Sequence, residues 1–199
     1  DIKVAAYYFP NYHIDAPNQK VHGDGWTEWE LMKKATPRFE GHQQPKVPLW
    51  GYEDEADPKV MARKIREAKK YGVDCFLFDA YFYEEEEFLH RCLNEGFLKA
   101  ENTKDMEFAL MWANHNWGIW PALDDGPRAM NGNENQASRE PFLFVHHSED
   151  DLRRVMEYSC EKYFKCENYW KIDGKPVYSI YNCDRIFQDI APADVLRIM

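Results

Sequence analysis

The stretch that decides the fold runs from Asp57 to Asp79, DPKVMARKIREAKKYGVDCFLFD. Asp57 can cap a helix, and Pro58 suits the first helical position because the N–H it lacks would go unused there. Met61, Ile65 and Ala68 then recur on one helical face, and Gly72 stops the helix. Directly after the glycine comes Val73–Asp79, a short apolar run with little alternation. Strands covered on both faces, as in parallel sheets, read this way. A helix that feeds straight into such a strand is part of a βαβ unit.

Working outward, three more runs share that character: Lys3–Phe9, Glu107–Trp112 and Pro176–Tyr181. A second helix is expected from about Glu86 to Leu98, its acidic start Glu84–Glu87 favourable to the helix dipole. A third begins at Ser148, with Asp151 at the capping-box position and a stripe of Leu152, Val155, Met156, Cys160 and Tyr163. Pro192–Ile198 begins a fourth. Asp173-Gly174 marks a tight turn, a small hairpin just before the last strand.

Strands alternating with helices imply parallel βαβ units. Four such units are half of an eight-unit barrel, which typically takes about 250 residues. The expected fold is therefore α/β, of the (β/α)8 TIM-barrel type, with the first four βα units forming a single domain over residues 1–199. A doubly wound open sheet also has room for four units. No glycine-rich phosphate loop follows the first strand, where Pro10-Asn11-Tyr12-His13 stands instead, and that disfavours a nucleotide-binding sheet.

Composition narrows the function. The chain is 16% aromatic, with 7 Trp, 12 Tyr and 12 Phe, so either the core is ring-rich or a groove is lined with rings. Its net charge of -10 argues against a nucleic-acid partner, which needs a basic footprint. No apolar run of about 18 residues is present to span a membrane. Five cysteines without CxxC spacing, and no signal-peptide pattern, lead to the expectation of a cytoplasmic protein. The seven histidines form no HExxH or Cys/His cluster, and no GxSxG is found, so no metal and no cofactor is expected.

Two connections are long, Asn11–Asp57 and Ala113–His147, and both leave the C-terminal ends of strands, where barrels carry their sites. Asp79 ends a hydrophobic strand at that face, where it can hold a substrate hydroxyl, serve in acid/base work or cap a loop. Glu28 lies between Trp26 and Trp29, where low polarity would raise its pKa and suit a general acid. Equally, it can be a buried Glu bonded to loop amides. These two are the candidate catalytic residues. Tyr8, His13, Trp26, Tyr81, Trp112, Asn114, His115 and Trp117 are the candidate substrate contacts, and Trp120 could extend the wall. Sugars need this mixture of flat rings for C–H faces and amides or imidazoles for hydroxyls.

These motifs carry a family resemblance. Tyr7-Tyr8-Phe9-Pro10-Asn11-Tyr12-His13, Gly25-Trp26-Thr27-Glu28-Trp29, Gly41-His42-Gln43-Gln44-Pro45 with Pro48, and Trp112-Ala113-Asn114 with Asn116-Trp117 resemble the WbsX-like family, in order and over nearly the whole chain. Gly72–Phe76 and Asp173–Val177 fit it as well. The resemblance implies kinship with family 99 glycoside hydrolases, endo-α-mannosidases built as (β/α)8 barrels, and an association with polysaccharide and O-antigen gene clusters. It further implies catalytic carboxylates in a Glu-Trp-x-Glu segment late in the barrel. No such segment occurs here, since Glu28-Trp29-Glu30 is early and wrongly spaced. The family commonly has Glu after Trp-Ala-Asn, whereas this chain has His115, which can bond a hydroxyl but cannot replace a carboxylate.

Three readings follow. A glycoside hydrolase would act on an oligosaccharide or polysaccharide, using paired carboxylates. A glycosyltransferase, as the family name says, would be expected to carry a DxD-like motif, but the adjacent pairs Asp124-Asp125 and Asp150-Asp151 are not one. A non-catalytic carbohydrate-binding half-barrel would expose two edge strands and need a C-terminal barrel half or a second copy of itself.

Overall fold

The computed structural model describes residues 2–83, 87–118 and 141–199. The first strand, β1 (Ala5–Tyr8), is followed by two short helices in the long connection, α1 (Ala16–His22) and α2 (Trp29–Lys33). The decisive stretch folds as read: α3 (Pro58–Lys70) leads into β2 (Cys75–Phe82). The Asp57 side chain accepts from the Lys59 N–H at 2.8 Å, and Gly72 takes a left-handed φ of 86° between helix and strand. A two-residue strand, β3 (Glu87–Phe88), precedes a π-helix at Cys92–Phe97. Then come β4 (Glu107–Trp112), β5 (Trp117–Gly118), β6 (Pro141–Leu143), α4 (Glu149–Lys162), the hairpin β7 (Lys171–Ile172) and β8 (Lys175–Pro176), β9 (Tyr178–Ile180), α5 (Cys183–Asp189) and α6 (Pro192–Ile198).

The sheet order is β1-β2-β4-β9, with every neighbouring pair parallel. This is the α/β architecture expected of successive βα units. Register sets which side chains share a face: Tyr8, Phe78 and Leu110 lie side by side, and so do Asp79 and Met111. The Phe78 row faces the helices. Met61 and Ile65 of α3 pack there against Phe76, Phe78, Phe97 and Phe108. A second cluster joins Trp112 to Leu152 and Val155 of α4 and to Ile186 and Val195 of the last two helices. Alternation then assigns Tyr7, Leu77, Asp79, Met111 and Ser179 to the opposite, inner face of the sheet.

Two expectations change. The helix expected from about Glu86 is an antiparallel strand at its start, since Phe88 pairs with Tyr81 in register. Burial explains it: Phe88 is fully covered and its ring lies 4.9 Å from that of Trp117. Leu89 then turns left-handed, at φ 55°, while the Asp15 carboxylate accepts its N–H at 3.0 Å. Secondly, Asp79 does not end its strand. Pairing continues through Ala80 with Trp112, and Tyr81 and Phe82 complete β2. Trp120 and Asp124-Asp125 lie outside the described residues.

Candidate active site

The candidate residues gather where β1, β2, β4 and β9 deliver their C-terminal ends. Asp79 sits on the inner face of β2. Burial pushes its carboxyl up to about 6, and its Oδ1 has no hydrogen-bond partner. Glu28 precedes α2 in the long β1–α3 connection. Burial raises its pKa as well, and the neighbouring Asn11 amide opposes the rise. That amide makes no hydrogen bond of good geometry, although the residue is buried.

Tyr81 links the two acids. Its pKa is raised first by burial, then by Asp79, Tyr83, Glu28 and Tyr181, so both carboxylates bear on one phenol. Tyr81 is also the hub of an aromatic cluster in which it and Trp117 are buried, backing the exposed rings of Phe9 and Tyr181. Its ring lies 5.2 Å from Trp117, 5.9 Å from His115 and 6.4 Å from Phe9. His115 continues the wall to Tyr181 at 5.7 Å. Edge-to-face pairs of this kind contribute about 0.5–1.5 kcal/mol each beyond area burial, so the wall is stiff. Tyr83 reinforces it by donating to the His115 carbonyl at 3.0 Å.

The first connection is braced from below. The Glu55 carboxylate accepts from the Tyr12 N–H at 3.1 Å, and Tyr12 stacks on Trp29 at 3.7 Å. Trp29 Nε1 donates to the Glu53 carbonyl at 2.8 Å. Glu28, the residue before Trp29, starts α2, its carbonyl accepting from the Leu31 N–H at 3.1 Å.

Several other expected contacts have a different setting. Tyr8 lies on the helix-facing side of β1: its hydroxyl donates to Glu55 Oε1 at 2.7 Å, beside Lys64. Trp112 lies on the helix-facing side of β4 and packs in the cluster with Leu152 and Val155 of α4, so it is core rather than groove. Asn114 is completely buried, with both amide ends engaged by the Asn182 backbone, at 2.8 and 2.9 Å. His13 is buried with neither ring nitrogen bonded. Burial, followed by the Arg91 charge, lowers its pKa to about 4, and Arg91, Glu95 and His90 are its charged surroundings. Trp26 stacks on His22 at 4.1 Å within the loop. The residues that come together are thus Glu28, Asp79, Tyr81, His115 and Trp117, joined by Asn11, Phe9 and Tyr181, which the sequence reading did not select. Strand parity is the signal that would have found Tyr181, since it follows Ile180 onto the inner face.

The far, N-terminal end of the sheet differs in kind. A recess of about 420 Å3 there is lined by Lys3, Lys69, Asp74 and Glu107 among others, but these charges are matched in the pairs Lys3–Glu107 and Lys69–Asp74. Among the described residues no group of three or more His, Cys, Asp or Glu side chains is arranged to hold a metal ion. Nor is any described helix long and apolar enough to cross a membrane.

The family model for glycosyltransferase WbsX matches residues 4–197. The chain belongs to the WbsX family. Curated relatives are the proteins named "Uncharacterized protein WxcX" from two strains of Xanthomonas campestris pv. campestris, each 27% identical over 179 residues. The match covers 89% of this chain and 24% of theirs, so this chain spans about a quarter of their length. Among solved structures, the GH99 endo-alpha-mannosidase of Bacteroides thetaiotaomicron matches with a TM-score of 0.54 at 16% identity. That covers 93% of this chain and 43% of the other; a second structure of the enzyme gives 0.53 at 15%, covering 92% and 45%. At these identities the likeness is one of fold. It identifies the four-stranded parallel sheet of this WbsX-family chain as part of a TIM-barrel architecture.

Proposed function

We propose that this chain forms the aromatic, hydroxyl-binding side of a glycan site in a carbohydrate-active enzyme, and that the enzyme is a glycoside hydrolase. The observation that carries the reading is the ring cluster Tyr81–Trp117–His115–Tyr181 at the C-terminal end of the sheet, with Asp79 two residues before Tyr81 on the same face of β2, its Oδ1 unpartnered, and with Glu28 within electrostatic reach of the same phenol. Tyr181, 62% exposed, and Phe9, 41% exposed, present rings for the C–H faces of sugars, backed by the buried Tyr81 and Trp117, while carboxyls and imidazoles can bond the hydroxyls. A carboxyl raised by burial is suited to donating or holding a proton near neutral pH. Membership of the WbsX family supports the carbohydrate class. The likeness to a mannosidase fold supports an α-mannosidic glycan as the first substrate to try.

The family's own description favours a second reading, a glycosyltransferase. The fold likeness to an endo-alpha-mannosidase is why hydrolysis stands first. Among the described residues β1 and β9 are the edges of the parallel sheet, and with Tyr7 70% exposed on the inner face they support closure of the barrel by a C-terminal half or by a second copy.

The test is sugar release from α-mannosidic oligosaccharides by the full-length protein, followed by mass spectrometry. Glu28→Gln and Asp79→Asn should each lower kcat/KM about 100-fold or more, the usual size of a lost acid–base contribution. If both variants keep full activity, these residues are not the site. Transfer from a nucleotide sugar with no hydrolysis would establish the second reading.

A further inference from the structure

We infer that His147 is a positioning residue of the proposed glycan site: acting through Asn114, it holds Asn182 and so fixes Tyr181 opposite His115. The inference rests on the glycan reading for its purpose and on hydrogen-bond logic for its form.

Two bonds fix which way the Asn114 amide points. Asn182 N–H donates to Asn114 Oδ1 at 2.8 Å, and Asn114 Nδ2 donates to the Asn182 carbonyl at 2.9 Å. The second N–H of that amide is therefore aimed at His147 Nε2, 3.2 Å away. It needs an acceptor there, so Nε2 must be bare and the ring proton must sit on Nδ1. Nδ1 in turn faces Asp189 Oδ2 at 3.3 Å. Asp189, His147, Asn114 and Asn182 thus form one relay in which every donor meets an acceptor, and only neutral His147 satisfies it. Water cannot easily substitute, because the His147 side chain is 1% exposed and its ring lies 5.6 Å from Trp112.

The relay ends at the wall. Tyr181 N–H donates to the Trp112 carbonyl at 2.9 Å, and the next residue, Asn182, is clamped by Asn114. Tyr181 is 62% exposed and would otherwise be free to swing from His115, its ring partner at 5.7 Å. The groups facing His147 are Asp189 and Arg185 of α5, Asp151 in the first turn of α4, and Trp112 and Asn114 at the end of β4. Burial lowers its pKa before Asp189 and the other charges act, which favours the neutral ring near pH 7. Protonation at Nε2 would set N–H against N–H and release the clamp.

The experiment compares wild type, His147→Leu, which keeps bulk but removes the acceptor, and His147→Gln, which keeps an oxygen for Asn114. One readout is hydrogen exchange at the Asn182 amide, which needs no ligand. The other is the Kd for an α-mannosidic oligosaccharide. In His147→Leu, exchange at Asn182 should be at least tenfold faster and Kd at least tenfold higher, with His147→Gln nearer wild type in both. Wild-type exchange, corrected for intrinsic rate, should also quicken as acid protonates His147. Unchanged exchange in His147→Leu overturns the relay. Faster exchange with unchanged Kd overturns the positioning role. If wild type binds no glycan, the functional reading fails and the positioning role falls with it, while exchange still reports on the relay by itself.

Discussion

Gly96 has almost no room for a side chain. A Cβ there would lie 2.0 Å from the Glu55 carbonyl oxygen and 2.8 Å from Met61 Cγ. The first neighbour is backbone and cannot turn aside. The same Glu55 holds Tyr8, Tyr12 and Lys64, so pressure on it reaches the brace behind Glu28. Gly96→Ala should therefore cost about 1–3 kcal/mol, the usual range for overpacking, and fall at its upper end. Urea unfolding measures it, and a loss within error would mean that the loop moves freely. Single residues also mark where reading by sequence stops. Tyr7 and Tyr8 are adjacent rings in a strand expected to be covered on both faces, so no alternation says which one meets the helices. Register decides it, by placing Tyr8 beside Phe78. Trp112 is lost to the core by the same parity, whereas Asp79 and Tyr81 share the inner face. Asn114 had the right chemistry, but its two bonds to Asn182 span 68 residues and leave no local trace.

Elements were legible where short-range chemistry specifies them. The start of α4 is such a case: Ser148 Oγ accepts from the Asp151 N–H at 3.1 Å, and Asp151 Oδ2 accepts from the Ser148 N–H at 3.1 Å. Ser148→Ala removes one side of this reciprocal cap and should cost about 1 kcal/mol, read from denaturant midpoints. Asp151→Asn should cost less, since an amide oxygen can still accept. If neither changes stability, tertiary contacts of Leu152 and Val155 alone hold the helix end. The strand Glu107–Trp112 and the tail Pro192–Ile198 follow their sequence patterns at both ends. The segment from Glu87 does not, because its conformation is decided from outside. Phe88 is drawn under Tyr81 and Trp117, and the Asp15 carboxylate binds the Leu89 N–H. Those partners lie far from it in sequence or on a neighbouring strand. The π-helix that follows, with Leu98 N–H bonded to the Leu93 carbonyl at 2.9 Å, lets Phe97 reach the core against Phe78 and Phe108.

Across the whole molecule, burial acts on ionisable groups in two opposing directions. His13, His22, His90 and His147 all have lowered pKa values, with burial the first cause in each. Below the ordinary histidine value of about 6.5, the unfolded chain therefore binds protons that the folded chain refuses. Their contribution is fully present above that pH and is lost as pH falls through the folded values, which for His13 is about 4. Asp79 and Glu28 work the other way. Their raised pKa values make the folded state the better proton acceptor, so their ionisation penalises the fold as pH rises, for Asp79 through about 6. Four groups oppose two, and His90 and His13 are more deeply buried than either acid. Stability should accordingly fall between pH 6.5 and 4, less steeply than the histidines alone would dictate. Urea midpoints measured from pH 8 to pH 4 test this, and a midpoint that rises on acidification would sink it. Two variants separate the contributions. His13→Gln should flatten the acid limb, because it removes a group that titrates mainly in the unfolded chain. Asp79→Asn should steepen it and stabilise the protein at pH 7, because it removes a carboxylate held in a place that favours its neutral form. The same substitution should lower the proposed activity about 100-fold or more, so that Asp79 would serve function at a cost to the fold, the signature expected of a site rather than of a structural carboxylate.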